Sequence, residues 1–250
     1  MHHTKIRREI LDRVLARRGR IHWFDTLDPA KTVVLISDMQ ETFCAPGGPA
    51  EVPSARAIVG SINTLTAGLR VRAVPVVWVL HANARRGSAT DWDMFFNYVV
   101  ADDVRERTIE SLAPGRQRVW NDLVTAPQDL TIIKNRYSAF IAGSSGLERE
   151  LRGRGIDTVL IAGTKTNVCC EATARDAMML DFKVAMVCDC CAALSDEEHL
   201  ASLETILQQF GDVLTTEDVF ARLDSGSGLQ VSNSRPAANQ LAKSVIGDSR

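Results

Sequence analysis

Short apolar, β-branched runs recur along the chain, and each leads into a polar residue and then into a stretch with helical spacing. Thr32-Val33-Val34-Leu35-Ile36-Ser37 runs into Asp38, and Val74-Pro75-Val76-Val77-Trp78-Val79-Leu80 runs into His81. Leu130-Thr131-Ile132-Ile133 ends at Lys134, Thr158-Val159-Leu160-Ile161-Ala162 leads toward Cys169, and Val184-Ala185-Met186-Val187-Cys188 ends at Asp189. Val213-Leu214 supplies a short sixth run. Apolar runs of this length without alternation read as strands covered on both faces. Between them, 54–70 reads as a helix, and Ser145-x-x-Glu148 and Ser195-x-x-Glu198 read as capping boxes, the second opening a helix to about Gln209. Ile6, Ile10, Val14 and Leu15 mark a basic amphipathic helix over 5–18. Residues 82–128 are less regular and long enough to hold a cap over a site.

This alternation predicts an α/β fold, a three-layer α/β/α arrangement around a six-stranded parallel sheet. Such sheets place ligands beyond the carboxyl ends of their strands, so Asp38, His81, Lys134, Cys169 and Asp189 are expected to share one rim. Residues 1–30 are expected to form an N-terminal helical extension and 31–223 the main domain. Residues 224–250, rich in Ser, Gly, Asn and Ala without apolar periodicity, are expected to be a flexible tail.

Composition narrows the classes of function. The 250 residues, 45% of them hydrophobic, suffice for one domain with a full core. A net charge of −2 with both signs interspersed points away from nucleic acid and from membrane surfaces as partners. The apolar runs are too short to span a bilayer, and the start of the chain carries Lys5, Arg7, Arg8 and Glu9 where a signal peptide would be apolar. The expectation is a cytoplasmic protein whose six cysteines are reduced.

The densest chemistry lies in Gly163-Thr164-Lys165-Thr166-Asn167-Val168-Cys169-Cys170-Glu171-Ala172-Thr173-Ala174-Arg175-Asp176-Ala177. Cys169 falls after an apolar strand and at the start of a helix, where unpaired N–H groups favour thiolate over thiol. Alone it could equally be a small hydrophobe between strand and helix. Partners decide the matter. A carboxylate such as Asp38, placed beside a thiol and an ammonium, can carry a raised pKa and act as general base and then acid. Lys134 would favour both anions by proximity, although an acid and a lysine at a sheet edge can also be a simple ion pair.

At these residues the chain resembles the isochorismatase-like cysteine hydrolases. Three signatures between about Thr32 and Phe220 carry the resemblance: Asp38-Met39-Gln40-x-x-Phe43, then Lys134-Asn135-Arg136-Tyr137-Ser138-Ala139-Phe140, and then Gly163-x-x-Thr166-Asn167-Val168-Cys169-x-Glu171-x-Thr173-x-Arg175-Asp176-Ala177. The resemblance implies Asp38 as acid/base, Lys134 as the third member of a triad and Cys169 as nucleophile. It also implies a cis peptide between Thr164 and Lys165, with the N–H groups of Lys165 and Cys169 as the oxyanion hole. Many relatives carry a small residue where Lys165 stands. Sheet order 3-2-1-4-5-6 and a homodimer or homotetramer are implied too. The cysteine points to the amidohydrolase branch, with Arg136-Tyr137-Ser138 similar to the ureidoacrylate group, and hence to a small amide, carbamoyl or ureido substrate. Metal-binding relatives carry an Asp-x-His and a further His after the first strand. No histidine lies between His22 and His81, so neither metal nor cofactor is expected.

Other residues remain two-sided. Gln40, Phe43, His81, Trp92, Tyr137 and Phe140 are candidate substrate contacts, although His81 could be structural and the aromatic rings could be packing. Cys170 is expected in the core. Cys188, Cys190 and Cys191 lack the paired spacing of a zinc site, and Cys44 could line the pocket or fill a loop. The turn after the first strand, Asp38-Met39-Gln40-Glu41, has no Gly-x-Gly-x-x-Gly, which disfavours a nucleotide-binding oxidoreductase. A noncatalytic ligand-binding protein on the same fold is the standing alternative.

Overall fold

The computed structural model describes His2 and residues 5–226, and the stretch from 227 onward, where most of the expected tail falls, lies outside the described residues. Among the described residues the apolar runs form β1 (Thr32–Ser37), β2 (Val76–His81), β3 (Leu130–Lys134), β4 (Thr158–Thr164), β5 (Lys183–Ala192) and β6 (Asp212–Leu214). They make one sheet in the order β3-β2-β1-β4-β5-β6 with every neighbouring pair parallel. The expected order and fold class therefore hold. Helices are α1 (Arg8–Arg18), α2 (Val59–Val71), α3 (Asp93–Tyr98), α4 (Asp102–Ser111), α5 (Leu147–Gly153), α6 (Glu171–Met179), α7 (Asp196–Gln209) and α8 (Thr216–Gly226).

Alternate residues of each strand face opposite layers, which explains the unbroken apolar runs. Val33, Leu35, Val159 and Ile161 pack with side chains of α1, α5, α6 and α7, while Val34, Ile36, Leu160 and Ala162 pack with those of α2 and α8. Burying each large aliphatic side chain is worth about 1.5–3 kcal/mol, so two full layers hold the sheet. The N-terminal helix joins the first layer through Ile6, Ile10, Leu11 and Val14. Leu11 takes the place expected for Leu15, which is exposed. Arg7 ties this segment to α7, its backbone N–H and Nε each donating to the Glu204 carboxylate at 2.9 Å.

Some local expectations shift. The helix expected over 54–70 is a 3₁₀ stretch, Pro53–Ile58, continuing into α2. Ser195 caps α7 by accepting from the Glu198 N–H at 3.2 Å, whereas Ser145, two residues before α5, accepts from the Leu147 N–H at 3.1 Å without the expected box. The fifth strand runs on past Cys188 to Ala192, with a register irregularity opposite Ile161 and Gly163, so Asp189 is inside it. All six cysteines are free and buried. No helix among the described residues is long and apolar enough to cross a membrane.

Chain direction across the sheet reverses between β1 and β4, because β2 and β3 lie on one side of β1 and β5 and β6 on the far side of β4. That reversal opens a crevice at the carboxyl ends of these two strands. Asp38 leaves β1 there, and the segment leading to Cys169 leaves β4 there.

Candidate active site

Each of the three candidate groups reaches the crevice from a strand end. Asp38 directly follows β1 with φ 56°, a left-handed conformation that aspartate tolerates better than most residues, and its N–H donates to Val79 O at 2.8 Å. Lys134 is the last residue of β3, in register with His81 of β2. Beyond β4 the chain passes through a cis Thr164–Lys165 peptide into a π-helical turn, Thr166–Cys170, and then into α6. The N–H groups of Val168 and Cys170 both donate to Lys165 O at 3.2 Å, bracketing the Cys169 N–H within a tight turn. Gly163 makes the approach possible, since a Cβ there would stand 2.1 Å from Ser37 O.

The side chains converge. Lys134 Nζ lies 2.9 Å from Asp38 Oδ2 and donates to Cys169 Sγ at 3.6 Å, to Arg136 O at 3.0 Å and to His81 Nδ1 at 3.3 Å. Asp38, Lys134 and Cys169 are all buried. Burial raises the Asp38 pKa despite the opposing charge of Lys134. Burial works against the Lys134 ammonium, but Asp38 and then Cys169 outweigh it and hold its pKa above the ordinary lysine value. The Cys169 thiol is pushed well up by burial and then by Asp38, with Lys134 opposing. Burial and Asp38 thus act on Cys169 against the thiolate-favouring effect of the turn's N–H groups. An acid with raised proton affinity shares the same space. No aligned hydrogen bond occupies either Asp38 oxygen.

One ligand atom each from Asp38, His81 and Cys169 falls within 4.8 Å of the others, a spacing that could hold a metal ion. Lys134 places its ammonium among the same three atoms, so the chain supplies its own cation at that point. His81 is correspondingly neutral, its pKa well below the ordinary value through burial and then the Lys134 charge. Its Nε2–H donates to Asn83 Oδ1 at 2.8 Å, and Asn83 Nδ2 donates to Asp91 Oδ1 at 2.8 Å and Asn135 O at 3.2 Å. This relay fixes the tautomer and leaves Nδ1 as acceptor for the ammonium.

The candidate substrate contacts separate into groups. Phe43, Trp92 and Tyr137 do gather near the site. The Trp92 ring stacks 5.8 Å from His81 and 4.8 Å from Phe95, Tyr137 meets its edge at 4.7 Å, and Phe43 lies 6.5 Å from His81. Burial and next Cys169 raise the pKa of the Tyr137 hydroxyl. Arg136 lies over Trp92 and donates to Asp91 O at 2.8 Å. Gln40 is otherwise engaged: Oε1 accepts from His81 N–H at 2.7 Å and Nε2 donates to His81 O at 3.0 Å, pinning the end of β2. Phe140 packs against Phe182 in the core, away from the aromatic cluster, because the chain turns inward after Tyr137. Asp189 is also elsewhere, its carboxylate accepting from Thr216 N–H at 3.0 Å. Cys170 and Cys44 are core residues. Asn83 and Asp91 were not singled out by the sequence, although Asn83 lies two residues beyond His81; Asn135 and Thr166 fell inside the second and third signatures with no role assigned to them.

A cavity of about 260 Å³ reaches the Lys134 side of the site and is lined by Ala82, Asp91 and Asn135 among others. A second, of about 290 Å³ between Gln40, Thr42 and Gln117, is open and polar. Cys169 lines neither of them.

Comparison with known proteins gives a consistent picture. The family model described as Isochorismatase domain matches residues 32–218. A crystallised cysteine hydrolase from Pseudomonas syringae pv. phaseolicola 1448A superposes with a TM-score of 0.72 at 32% identity, covering 82% of this chain and 97% of that one. Enterobactin synthase component B of Escherichia coli (strain K12) is 29% identical over 202 residues, 81% of this chain, but the match spans only 66% of that protein. Ureidoacrylate amidohydrolase RutB of Methylobacterium radiotolerans is 27% identical over 233 residues, 86% of each chain.

Proposed function

The chain belongs to the isochorismatase family, and from that premise we propose that it is a cysteine amidohydrolase cleaving a C–N bond of a small amide, carbamoyl or ureido compound. One observation carries the reading: a buried ammonium, Lys134 Nζ, lies 2.9 Å from a carboxylate oxygen and 3.6 Å from a thiol sulfur. A structural ion pair needs no sulfur, and a structural cysteine needs neither partner. The likeness to a ureidoacrylate amidohydrolase over most of both chains supports the choice of substrate class.

Asp38 takes the Cys169 proton, and the thiolate attacks the substrate carbonyl while Lys134 stabilises the growing negative charge on both partners. The N–H groups of Lys165 and Cys169 hold the oxyanion. The C–N bond breaks as Asp38 returns the proton to nitrogen, ammonia departs, and a thioester remains. Water, deprotonated by Asp38, attacks the thioester and the sulfur leaves as a thiol. A carbamate product then decomposes to carbon dioxide and the amine whose nitrogen it retains. His81 keeps the ammonium aimed by accepting from it, and the Phe43, Trp92 and Tyr137 rings wall the substrate. No metal enters the scheme, since Lys134 performs the electrostatic role.

The test is an ammonia-release screen over ureido acids, biuret, carbamoyl amino acids and simple amides, run beside Cys169→Ser. Turnover of at least one class by the wild type and its loss in the variant are expected. Full turnover by the variant would refute thioester catalysis.

A further inference from the structure

A second buried histidine stands behind the nucleophile turn. His199, on α7, is fully buried, and its Nδ1 lies 2.8 Å from Thr166 Oγ1. Ser202, one turn further along α7, donates from its hydroxyl to Thr166 O at 3.2 Å. The hydroxyl and the carbonyl of Thr166 are thus held by one helix, and Thr166 opens the π turn that carries Cys169. His199 Nε2 is buried without a hydrogen-bond partner. On its outer side the ring stacks at 4.7 Å on His2, whose Nδ1 meets Asp196 at 2.7 Å. Packing alone would have been met by an apolar ring, since a buried ring nitrogen without a partner costs stability. Burial and then His2 lower the His199 pKa to about 4, so the ring is neutral at ordinary pH.

We propose that His199 is a positioning residue for the oxyanion hole, holding Thr166 so that the N–H groups of Lys165 and Cys169 point at one carbonyl oxygen. The inference rests on the thioester reading above but concerns the turn and not the sulfur. An oxyanion donor contributes only when aimed within a few tenths of an ångström, so loosening the turn weakens stabilisation of a tetrahedral adduct and leaves the thiol's own reactivity intact.

A pair of reagents separates the two. Iodoacetamide alkylates sulfur by displacement of iodide at a saturated carbon, with no oxyanion. Propanal adds the Cys169 thiol across its carbonyl; sulfur bonds to carbon, the carbonyl electron pair moves to oxygen, and the thiol proton ends there as a hemithioacetal. The concentration of propanal that protects Cys169 from iodoacetamide therefore reads the hole. His199→Phe, which keeps the ring and its stacking, is expected to raise that concentration about tenfold while the alkylation rate without aldehyde stays within about twofold. His199→Asn, which restores a nitrogen near the Nδ1 position, is expected to recover most of the protection. Wild-type protection in His199→Phe would overturn the proposal. So would a parallel fall of alkylation and protection in both variants, tracking thermal stability, since that is the mark of packing alone. Failure of propanal to protect the wild type would remove the thioester reading itself and this inference with it.

Discussion

Two places in this sheet carry an aspartate and a cysteine together, one beyond strand ends and one inside a strand, and they have opposite characters. Beyond β1 and β4, Asp38 and Cys169 face each other across Lys134. Within β5, Asp189 and the adjacent Cys190 face the start of α8. Asp189 accepts from Thr216 N–H at 3.0 Å, and Cys190 Sγ lies 3.4 Å from Thr216 Oγ1. Burial raises the pKa of both thiols, and the neighbouring carboxylate raises each further. What differs is the third partner. At Asp189 it is a backbone N–H of a helix, which satisfies the acid and leaves it nothing to do. At Asp38 it is a buried ammonium within reach of both the carboxylate and the sulfur. An acid beside a buried thiol is thus not a catalytic site until an ammonium shares the space.

The largest expected effect removes the sulfur at each place. Cys169→Ala is expected to lower kcat by at least about 10³-fold, whereas Cys190→Ala leaves kcat within about twofold, checked by ammonia release under saturating substrate. Equal losses would abolish the contrast. Next comes the ammonium: Lys134→Met is expected to cost about 10²-fold or more in kcat/KM, and its counterpart Asp189→Asn almost nothing in rate. The pair also differs in stability, with Asp189→Ala expected to cost about 1 kcal/mol in chemical denaturation, as the loss of a helix-start acceptor does. Selective labelling follows. Iodoacetamide should modify Cys169 first, and Cys190 only on unfolding, as read by mass spectrometry of digested protein.

The smallest effect is a displacement along the pH axis. Asp38 must be ionised to take the thiol proton, and burial raises its pKa, so the acid limb of kcat/KM is expected above the ordinary carboxylate value of about 4. The same shift favours the protonated fold: this group's contribution to stability is full below the unfolded-state pKa and falls as pH rises through the folded one. Removing the Lys134 charge, which opposes the shift, should move the acid limb higher still in Lys134→Met. A limb at or below the ordinary value would mean that Asp38 is not the base.

Much of this contrast was legible in the sequence, and the parts that were not share a cause. Unbroken β-branched runs ending in Asp38, His81 and Lys134 announced strands with their carboxyl ends at a rim, because a doubly covered strand leaves no other pattern. Asp189 was misplaced at that rim because its apolar run stops at Cys188 while the strand continues, through an irregular register, to Ala192. The helix-start argument for a Cys169 thiolate weighed the dipole and left out burial, which acts the other way. Phe140 and Gln40 show the same limit: the first turns into the core and the second clasps the His81 backbone. Asn83, Asp91 and His199 act through distances that no spacing along the chain encodes.

Gly163 has a consequence of its own. It pairs with Ser37 in the β1–β4 register, one residue before Asp38 and six before Cys169, with φ 109° and no room for a methyl group. A hydrogen atom at this position therefore sets the gap between the strand that leads to Asp38 and the strand that leads to Cys169. Alanine there would touch neither reacting group, yet it would wedge the two strands apart and silence the chemistry from beneath.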